Sequence, residues 1–300
     1  MVKSISRFGR STVWLAAFGV CFLSTVRSGV AASPGNCPAA DSIKTLEKCT
    51  LKVCLYPGFK PFTSWEEKDP VWRGWDVVYL KAFAKTYGLT FKAIKIDAFL
   101  GIWKLPGQDS KLCDISAAGI SDLPDRRAES PGTNWSKTYY TVDRAYLVRS
   151  GDKLDKVEDL AGRKITVIVT KGSTADTDLQ NRLRQARSAG VKIDGVTIGY
   201  TDQEAEAAKL VLNGKAFAYG GGYGSVLALA PKGSGLKVTW THCNMVEVSK
   251  NVFKEYSEPF SFVVRGADTG LPEALDGYIS PKHPYPGTPN PPTPVCIARP

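Results

Sequence analysis

The segment VEDLAGRKITVIVTKGSTADTDLQNRLRQARSAGVKI, residues 157–193, contains a strand, a turn and a helix in succession. The apolar and β-branched run Ile165–Val169 is typical of a buried strand. A Gly-Ser-Thr turn follows at 172–174, and the amphipathic pattern behind it predicts a helix. A further strand is expected around Val196. Because strands that alternate with helices are the units of parallel sheets, this segment predicts an α/β fold.

An earlier part of the chain shows the same alternation. TLKVCLY at 50–56 and TFKAIKI at 90–96 have strand-like patterns, and GWDVVYLKAFAKTYGL at 74–89 has one apolar helical face. CDISAAGI at 113–120 is expected to be a short buried strand. Two such units predict two α/β regions, each with a largely parallel sheet. In the second unit, the glycine-rich stretch FAYGGGYGS at 217–225 overlaps the end of a further strand-like run.

The N-terminal residues 1–32 have the composition of a secretory signal peptide. A basic start precedes the apolar run STVWLAAFGVCFLSTV, and small residues follow it up to Ala32. The apolar run is shorter than the roughly 20 residues that a membrane-spanning helix needs. We therefore predict export to the periplasm with cleavage near Ala32. No later run approaches that length, so the mature chain is expected to be soluble.

The charge of the chain is moderately basic. The first 32 residues contain four of the 39 Lys and Arg residues and none of the 29 Asp and Glu residues, so cleavage lowers the formal net charge from +10 to +6. The basic residues are scattered and do not form runs, which is typical of a solvated surface. The composition therefore argues against nucleic acid as a partner.

The cysteines indicate disulfide bonds. An even number of cysteines in an exported chain favours disulfides, and we predict the pairs Cys49–Cys113 and Cys243–Cys296. A metal site is disfavoured because there is no C-x-x-C motif and the two histidines lie far apart. We predict no metal and no other cofactor. The six cysteines after residue 32 are Cys37, Cys49, Cys54, Cys113, Cys243 and Cys296.

Two strand ends carry groups that could bind an anion. AAGISDLPDRR at 117–127 follows a predicted strand, and an arginine there could pair with a carboxylate. KGST at 171–174 places two hydroxyls at a strand end and a helix start. Alternatively, Arg126 or Arg127 is a surface charge and Ser173 is a helix cap. The glycine-rich stretch lacks the lysine of a phosphate-binding loop, and no nucleophile motif of a hydrolase occurs.

In this order, the motifs resemble the periplasmic solute-binding proteins of family 3, the receptors of polar amino-acid ABC transporters. The likeness extends over about residues 48–280, and the order of the motifs is more specific than any one of them. The segments that carry it are FKPF at 59–62, GWDVVYLKAFAKTYG at 74–88, AAGISDLPDR at 117–126, SKTYY at 136–140, DLAGRKITVIVTKGST at 159–174 and LNGKAFAYGG at 212–221.

The resemblance implies a type II periplasmic binding protein-like fold, in which two α/β lobes are joined by two hinge crossings. The crossings are expected near Tyr146–Ser150 and Pro259–Val263. Lobe 1 would comprise residues 33–147 and 260–300, including a proline-rich C-terminal tail, and lobe 2 residues 148–259. The implied partners are a small carboxylate-bearing solute and an inner-membrane ABC permease, and the protein is expected to be a monomer.

The resemblance also assigns residues to the ligand site. Arg126 matches the arginine that holds the ligand α-carboxylate, with help from Ser121 and the Gly119 backbone. Phe59 matches the aromatic lid, whereas Trp75 is either beside the site or a packing residue. The second lobe supplies hydroxyls from Ser173 and Thr174.

At Gly222, the chain departs from the family. Amino-acid receptors have an aspartate at this position, which pairs with the ligand ammonium. Its absence predicts a changed specificity, with room for a bulkier ligand that Tyr219 and Tyr223 could stack on. Alternatively, the alignment slips and another acid, such as Asp202 or Glu204, binds the ammonium.

Cyclohexadienyl dehydratases, which share this fold, are an alternative class. They catalyse elimination with an acid from the second lobe. YGGGYGSV at 219–226 supplies no carboxylate, although another loop could. We therefore predict a binding protein and not an enzyme, with an accessory or sensor protein of the same fold as a further alternative.

Overall fold

The structure is a computed structural model that describes residues 37, 42–107, 112–266, 269–287 and 296. The predicted signal peptide lies outside these residues. Among the helices that the structure describes, none is both long and apolar enough to cross a membrane.

The first lobe is built on a five-stranded sheet. A 3-10 helix at Ile102–Gly107 precedes the strand Ile115–Ala117 of this sheet. In chain order, the lobe begins with β1 (Thr50–Leu55), β2 (Ser64–Glu66), β3 (Asp69–Arg73), α1 (Trp75–Thr86), β4 (Thr90–Lys95), β5 (Ile115–Ala117), α2 (Pro124–Ala128) and β6 (Thr133–Trp135).

The second lobe follows the short strand β7 (Tyr140–Val142). Its elements are β8 (Arg144–Arg149), β9 (Ile165–Thr170), α3 (Thr174–Ser188), β10 (Val196–Thr201), α4 (Glu204–Leu212), β11 (Ala218–Gly222), α5 (Tyr223–Ala228), β12 (Leu236–His242), β13 (Asn244–Ser249) and β14 (Val252–Tyr256). The chain then returns to the first lobe through β15 (Glu258–Phe260), β16 (Val263–Arg265) and α6 (Leu271–Tyr278).

The two main sheets have equivalent strand arrangements. Their orders are β4-β1-β5-β16-β6 and β10-β9-β11-β8-β12. In each sheet, the first three strands in this order are parallel to one another. The fourth strand, β16 or β8, is antiparallel to both of its neighbours. Four of the five strands in each sheet therefore run in the same direction, so the prediction of largely parallel sheets is confirmed, and only the strand that connects to the other lobe runs against its neighbours. The prediction of an α/β fold with two lobes is confirmed.

Each lobe has its own apolar core. In the first lobe, alternate residues of β1, Leu51 and Val53, pack with Leu80 and Phe83 on the buried face of α1. In the second, β9 and α3 supply a separate cluster that includes Val167, Val169, Leu179 and Leu183. All of these side chains are almost fully buried.

Two short strands connect the lobes. β7 and β15 pair antiparallel, with Pro259 opposite Thr141. The first crossing was predicted too late in the chain, because Tyr146 lies inside β8 and pairs with Gly220 of the second sheet. The segment of β8, which the resemblance placed at the crossing, is instead buried in the second lobe. The return crossing predicted at Pro259–Val263 overlaps β15.

Among the cysteines that the structure describes, three disulfides form: Cys37–Cys49, Cys54–Cys113 and Cys243–Cys296. The predicted pair Cys243–Cys296 is present, and the predicted pair Cys49–Cys113 is wrong. Strands β1 and β5 are neighbours, which brings Cys54 at the end of β1 to 5.7 Å from Cys113, measured between Cα atoms. Cys49 lies before β1 and pairs with Cys37.

The C-terminal tail contacts the first lobe and is bonded to the second. The Tyr285 hydroxyl donates a hydrogen bond to Asp76 Oδ1 at 2.5 Å, and its ring lies 4.7 Å from that of Tyr139, between centroids. Further on, Cys296 is bonded to Cys243, which lies between β12 and β13. The tail therefore provides a covalent connection between the lobes in addition to β7 and β15.

Candidate functional site

A cavity lies where the two lobes meet. Seven of the nine residues that the sequence assigned to the ligand site line it: Phe59, Gly119, Ser121, Ser173, Thr174, Tyr219 and Gly222. Two charged residues also line it: Arg144, which the sequence did not indicate, and Glu204, which the sequence offered as an alternative partner for an ammonium. The volume left for the centres of water molecules is about 30 Å³, which is room for about two waters.

The glycine-rich stretch is a strand end and not a loop. It forms β11 and the start of α5. A Cβ on Gly220 would lie 2.8 Å from the Tyr146 ring, so only glycine allows β11 to approach β8 this closely. A Cβ on Gly222 would lie 3.0 Å from Val142 Cγ2 and 3.9 Å from Arg144 Nη2. The place beside Gly222 therefore faces a cation.

Hydroxyls from both lobes bind one carboxylate. The Ser121 hydroxyl of the first lobe and the Thr174 hydroxyl of the second donate to the same oxygen, Oε1 of Glu258, the latter at 2.6 Å. Glu258 begins the connecting strand β15 and is buried. This carboxylate therefore joins the two lobes at the connecting strands.

Arg144 provides the countercharge. Its Nη2 lies 2.8 Å from Glu258 Oε2, and both side chains are almost fully buried. The Nε atom of Arg144 has no hydrogen-bond partner among the described residues. Because buried donors are normally satisfied, this one is a candidate for contact with a ligand.

Arg126, the predicted carboxylate anchor, does not line the cavity. Its guanidinium donates to two backbone carbonyls, Ser121 O at 3.3 Å and Gly172 O at 3.1 Å, and lies 4.4 Å from the centre of the Trp103 ring. Burial lowers its pKa to about 10, an effect that the nearby Glu258 partly offsets. Arg126 therefore remains cationic at neutral pH and connects the two lobes through Gly172.

Trp75 also lies outside the cavity lining. Its ring packs 5.2 Å from that of Phe62 and 6.3 Å from that of Tyr285, between centroids. The alternative that Trp75 is a packing residue agrees with these contacts. Phe62 does line the cavity, so Trp75 supports the site from behind.

Glu204 is a buried acid at the start of α4. Its Oε1 accepts a hydrogen bond from the Tyr219 hydroxyl at 2.7 Å, and its Oε2 has no hydrogen-bond partner among the residues that the structure describes. Burial raises its pKa to about 8, although Tyr219, Ser225 and Arg144 favour the ionised form. Asp202, the other acid considered from the sequence, is not part of the lining.

Asp76 holds the loop that contains Gly119 in place. Its Oδ2 accepts the Gly119 N–H at 2.8 Å and the Tyr139 hydroxyl at 3.2 Å, and its Oδ1 accepts the Tyr285 hydroxyl. Burial raises the pKa of Asp76 to about 6 despite these three bonds. The aspartate of the GWD motif thus positions Gly119 at the cavity.

Comparisons with known proteins agree with this architecture. No protein-family model and no curated protein matches the chain. Among solved structures, an ancestral arginine-binding protein bound to arginine is 25% identical, with a TM-score of 0.60, over 77% of this chain and 91% of that one. A substrate-binding protein of an amino acid ABC transporter from Streptococcus pneumoniae, bound to L-arginine, is 19% identical, with a TM-score of 0.59, over 77% and 87%.

A third neighbour has the same fold. An ancestral amino acid-binding protein, described as a precursor of cyclohexadienyl dehydratase, is 22% identical over 77% of this chain and 88% of its own, with a TM-score of 0.55. The chain thus has the periplasmic binding protein-like fold. The predicted likeness to amino-acid-binding proteins of this fold is confirmed, which supports a solute-binding function.

Proposed function

We propose that the protein is exported to the periplasm, captures a small carboxylate-bearing solute between its lobes and delivers it to an inner-membrane ABC permease. The observation that carries this proposal is the donor arrangement around Glu258. Ser121 and Thr174, one from each lobe, and Arg144 surround a carboxylate at the edge of the cavity. Arg144, whose Nε has no hydrogen-bond partner among the described residues, suits the carboxylate of a solute as well.

The charges favour an anionic group. Arg126 and Arg144 are buried cations, and Glu258 compensates one of them. At neutral pH, Glu204 is largely protonated because burial raises its pKa to about 8. The closed site therefore has an excess of one positive charge, which a carboxylate of the solute would neutralise. Arg144 lines the cavity and can contact that carboxylate directly, whereas Arg126 lies outside the lining and contributes its charge only.

Capture requires movement of the lobes. The present cavity admits about two waters, so a solute can reach it only when Ser121 and Thr174 separate. The two connecting strands, β7 and β15, are short and suit a hinge. We propose that the hinge lies at β7 and β15, which moves the first lobe boundary from the predicted residue 147 back to the end of β7 and otherwise keeps the predicted bounds, 33–147 with 260–300 and 148–259, and that the protein is a monomer.

A ligand screen on the exported, oxidised protein tests the function. Amino acids, keto acids, dicarboxylates and aromatic acids are compared by thermal shift, and hits are measured by calorimetry. A solute that binds only the folded state raises the melting temperature. The variant Thr174→Val should weaken a hit by about tenfold, whereas Thr177→Val, on the exposed face of the same helix, should not. A panel without any hit would contradict the proposal.

Glu204 gives one reason to keep an enzyme as a second candidate. A buried carboxylic acid that is protonated at neutral pH can donate a proton to a leaving hydroxyl, as a dehydratase requires. Incubation with cyclohexadienyl carboxylates, followed by chromatography, separates the two functions. A receptor returns the compound unchanged, whereas a dehydratase forms an aromatic product that Glu204→Gln abolishes.

A further inference from the structure

We infer that the solute is a zwitterionic amino acid whose carboxylate contacts Arg144 and whose ammonium contacts Glu204, in place of the family positions at Arg126 and Gly222. This inference rests on the proposed solute-binding function. It assigns both charge contacts to residues outside the motifs that carry the resemblance.

One cavity contains both an unsatisfied donor and an unsatisfied acceptor. Arg144 Nε and Glu204 Oε2 are buried and have no hydrogen-bond partner within the described part of the chain. The two side chains are only 4% and 3% exposed, and both line the cavity. A buried polar atom without a partner is unfavourable, so a ligand that satisfies both is favoured. The carboxylate and ammonium of an amino acid match a cationic donor and an acidic acceptor.

The family positions do not offer these contacts. The Arg126 guanidinium is directed to the Ser121 and Gly172 carbonyls, and Arg126 is absent from the lining. Gly222 has no side chain, and the place of its Cβ is 3.9 Å from Arg144 Nη2. An ammonium bound beside Gly222 would therefore face a guanidinium. The positive and negative ends of the site are placed differently from those of the family.

The remaining charges are consistent with a zwitterion. With Glu204 ionised, Glu204 and Glu258 balance Arg126 and Arg144, and a zwitterion adds no net charge to the buried site. A bound ammonium stabilises the ionised form of Glu204. The other titratable groups that interact with this carboxyl are Tyr219, which donates to it, and Tyr56, whose pKa it raises. Neither tyrosine is a cation, so no described side chain besides Arg144 competes with the ammonium.

The hydroxyls at the cavity favour the same orientation. Ser121 and Thr174 each use their single proton for Glu258 Oε1. Towards the cavity they can only accept hydrogen bonds, which disfavours a carboxylate against them while Glu258 stays in place. Arg144 Nε is the donor that remains for the carboxylate.

The experiment is a cycle between ligand groups and side chains. For the best amino acid of the screen, calorimetry compares three compounds, namely the amino acid, its analogue without the amino group and its analogue without the carboxylate. With the wild-type protein, each analogue should bind about 30-fold or more weakly. With Glu204→Gln, the amino acid and its analogue without the amino group should bind equally well. With Arg144→Gln, the amino acid and its analogue without the carboxylate should bind equally well. Such selective coupling does not follow from a purely structural role.

Glu206 and Arg127 provide matched controls for Glu204 and Arg144. Glu206→Gln, exposed on the same helix, and Arg127→Gln, half-exposed and paired with Asp122, should retain full discrimination. If an amino acid binds, and Arg126→Gln abolishes its affinity whereas Arg144→Gln leaves it unchanged, the inference is overturned but the proposed function is not. Equal or tighter wild-type binding of the analogue without the amino group would overturn it even if the variants fail to fold. Lack of any ligand would instead overturn the proposed function.

Discussion

The carboxylate of Glu258 lies 2.8 Å from the guanidinium of Arg144, and this buried pair stands at the junction of the lobes. Arg144 begins β8 of the second lobe, and Glu258 begins β15, which returns to the first. The pair also fixes the hydroxyls of Ser121 and Thr174 through Glu258. Closure of the lobes and the chemistry of the cavity therefore depend on the same two residues.

Neutralising Glu258 should lower the stability of the protein but raise its affinity for a carboxylate. Glu258→Gln leaves Arg144 as an uncompensated buried cation, which should lower the free energy of unfolding by about 3 to 5 kcal/mol. The added positive charge at the cavity should strengthen binding of a carboxylate. Urea unfolding and calorimetry measure the two effects. Glu247→Gln, which removes a partner of Arg184 nearer the surface, should leave the free energy of unfolding nearly unchanged. Equal losses in both variants would contradict the role of burial.

The general fold could be predicted from local patterns, whereas the pairing of charges could not. The apolar run of β9 and the helical face of α1 follow directly from their sequences, and both are present. Arg144 and Glu258 are 114 residues apart, and nothing in either neighbourhood indicates that they meet. A charged residue next to an apolar strand was the only signal. The same holds for Cys54, which reaches Cys113 only because β1 and β5 are adjacent.

An aspartate at Gly222 should not create an ammonium site. Its Cβ would lie 3.9 Å from Arg144 Nη2, so the new carboxylate would pair with Arg144 in competition with Glu258 and the solute. We expect Gly222→Asp to weaken binding of a carboxylate solute by about tenfold or more. Calorimetry on Gly222→Asp and Gly222→Asn distinguishes charge from size, because only the aspartate can neutralise Arg144. Tighter binding of amino acids by Gly222→Asp would show that the family's ammonium position is functional here.

The tail disulfide should restrict opening of the lobes. Cys243–Cys296 and Cys54–Cys113 close loops with sequence separations of 53 and 59, so their loss should cost similar chain entropy, at most about 4 kcal/mol each. Only the first connects the two lobes. Replacing both of its cysteines by alanine should therefore increase the radius of gyration of the solute-free protein in small-angle scattering. The matched alanine pair at Cys54 and Cys113 should leave it unchanged, and equal expansion in both would contradict a restraint on the hinge.

Glu204 should make stability fall as the pH rises. Its pKa is raised to about 8 in the folded protein from 4.5, so the folded state retains a proton that the unfolded chain has lost. The stability that this proton contributes is fully present below pH 4.5, the pKa in the unfolded chain, and it is lost as the pH rises through the folded-state pKa of about 8. Glu204→Gln cannot ionise and keeps an amide oxygen for the Tyr219 hydroxyl. At pH 5 its melting temperature should be close to that of the wild type, whereas at pH 9 it should exceed it by about 5 °C or more. Because Asp76 is unchanged in both proteins, its own titration cancels in this difference. A constant difference from pH 5 to pH 9 would show that Glu204 is already ionised in the folded state.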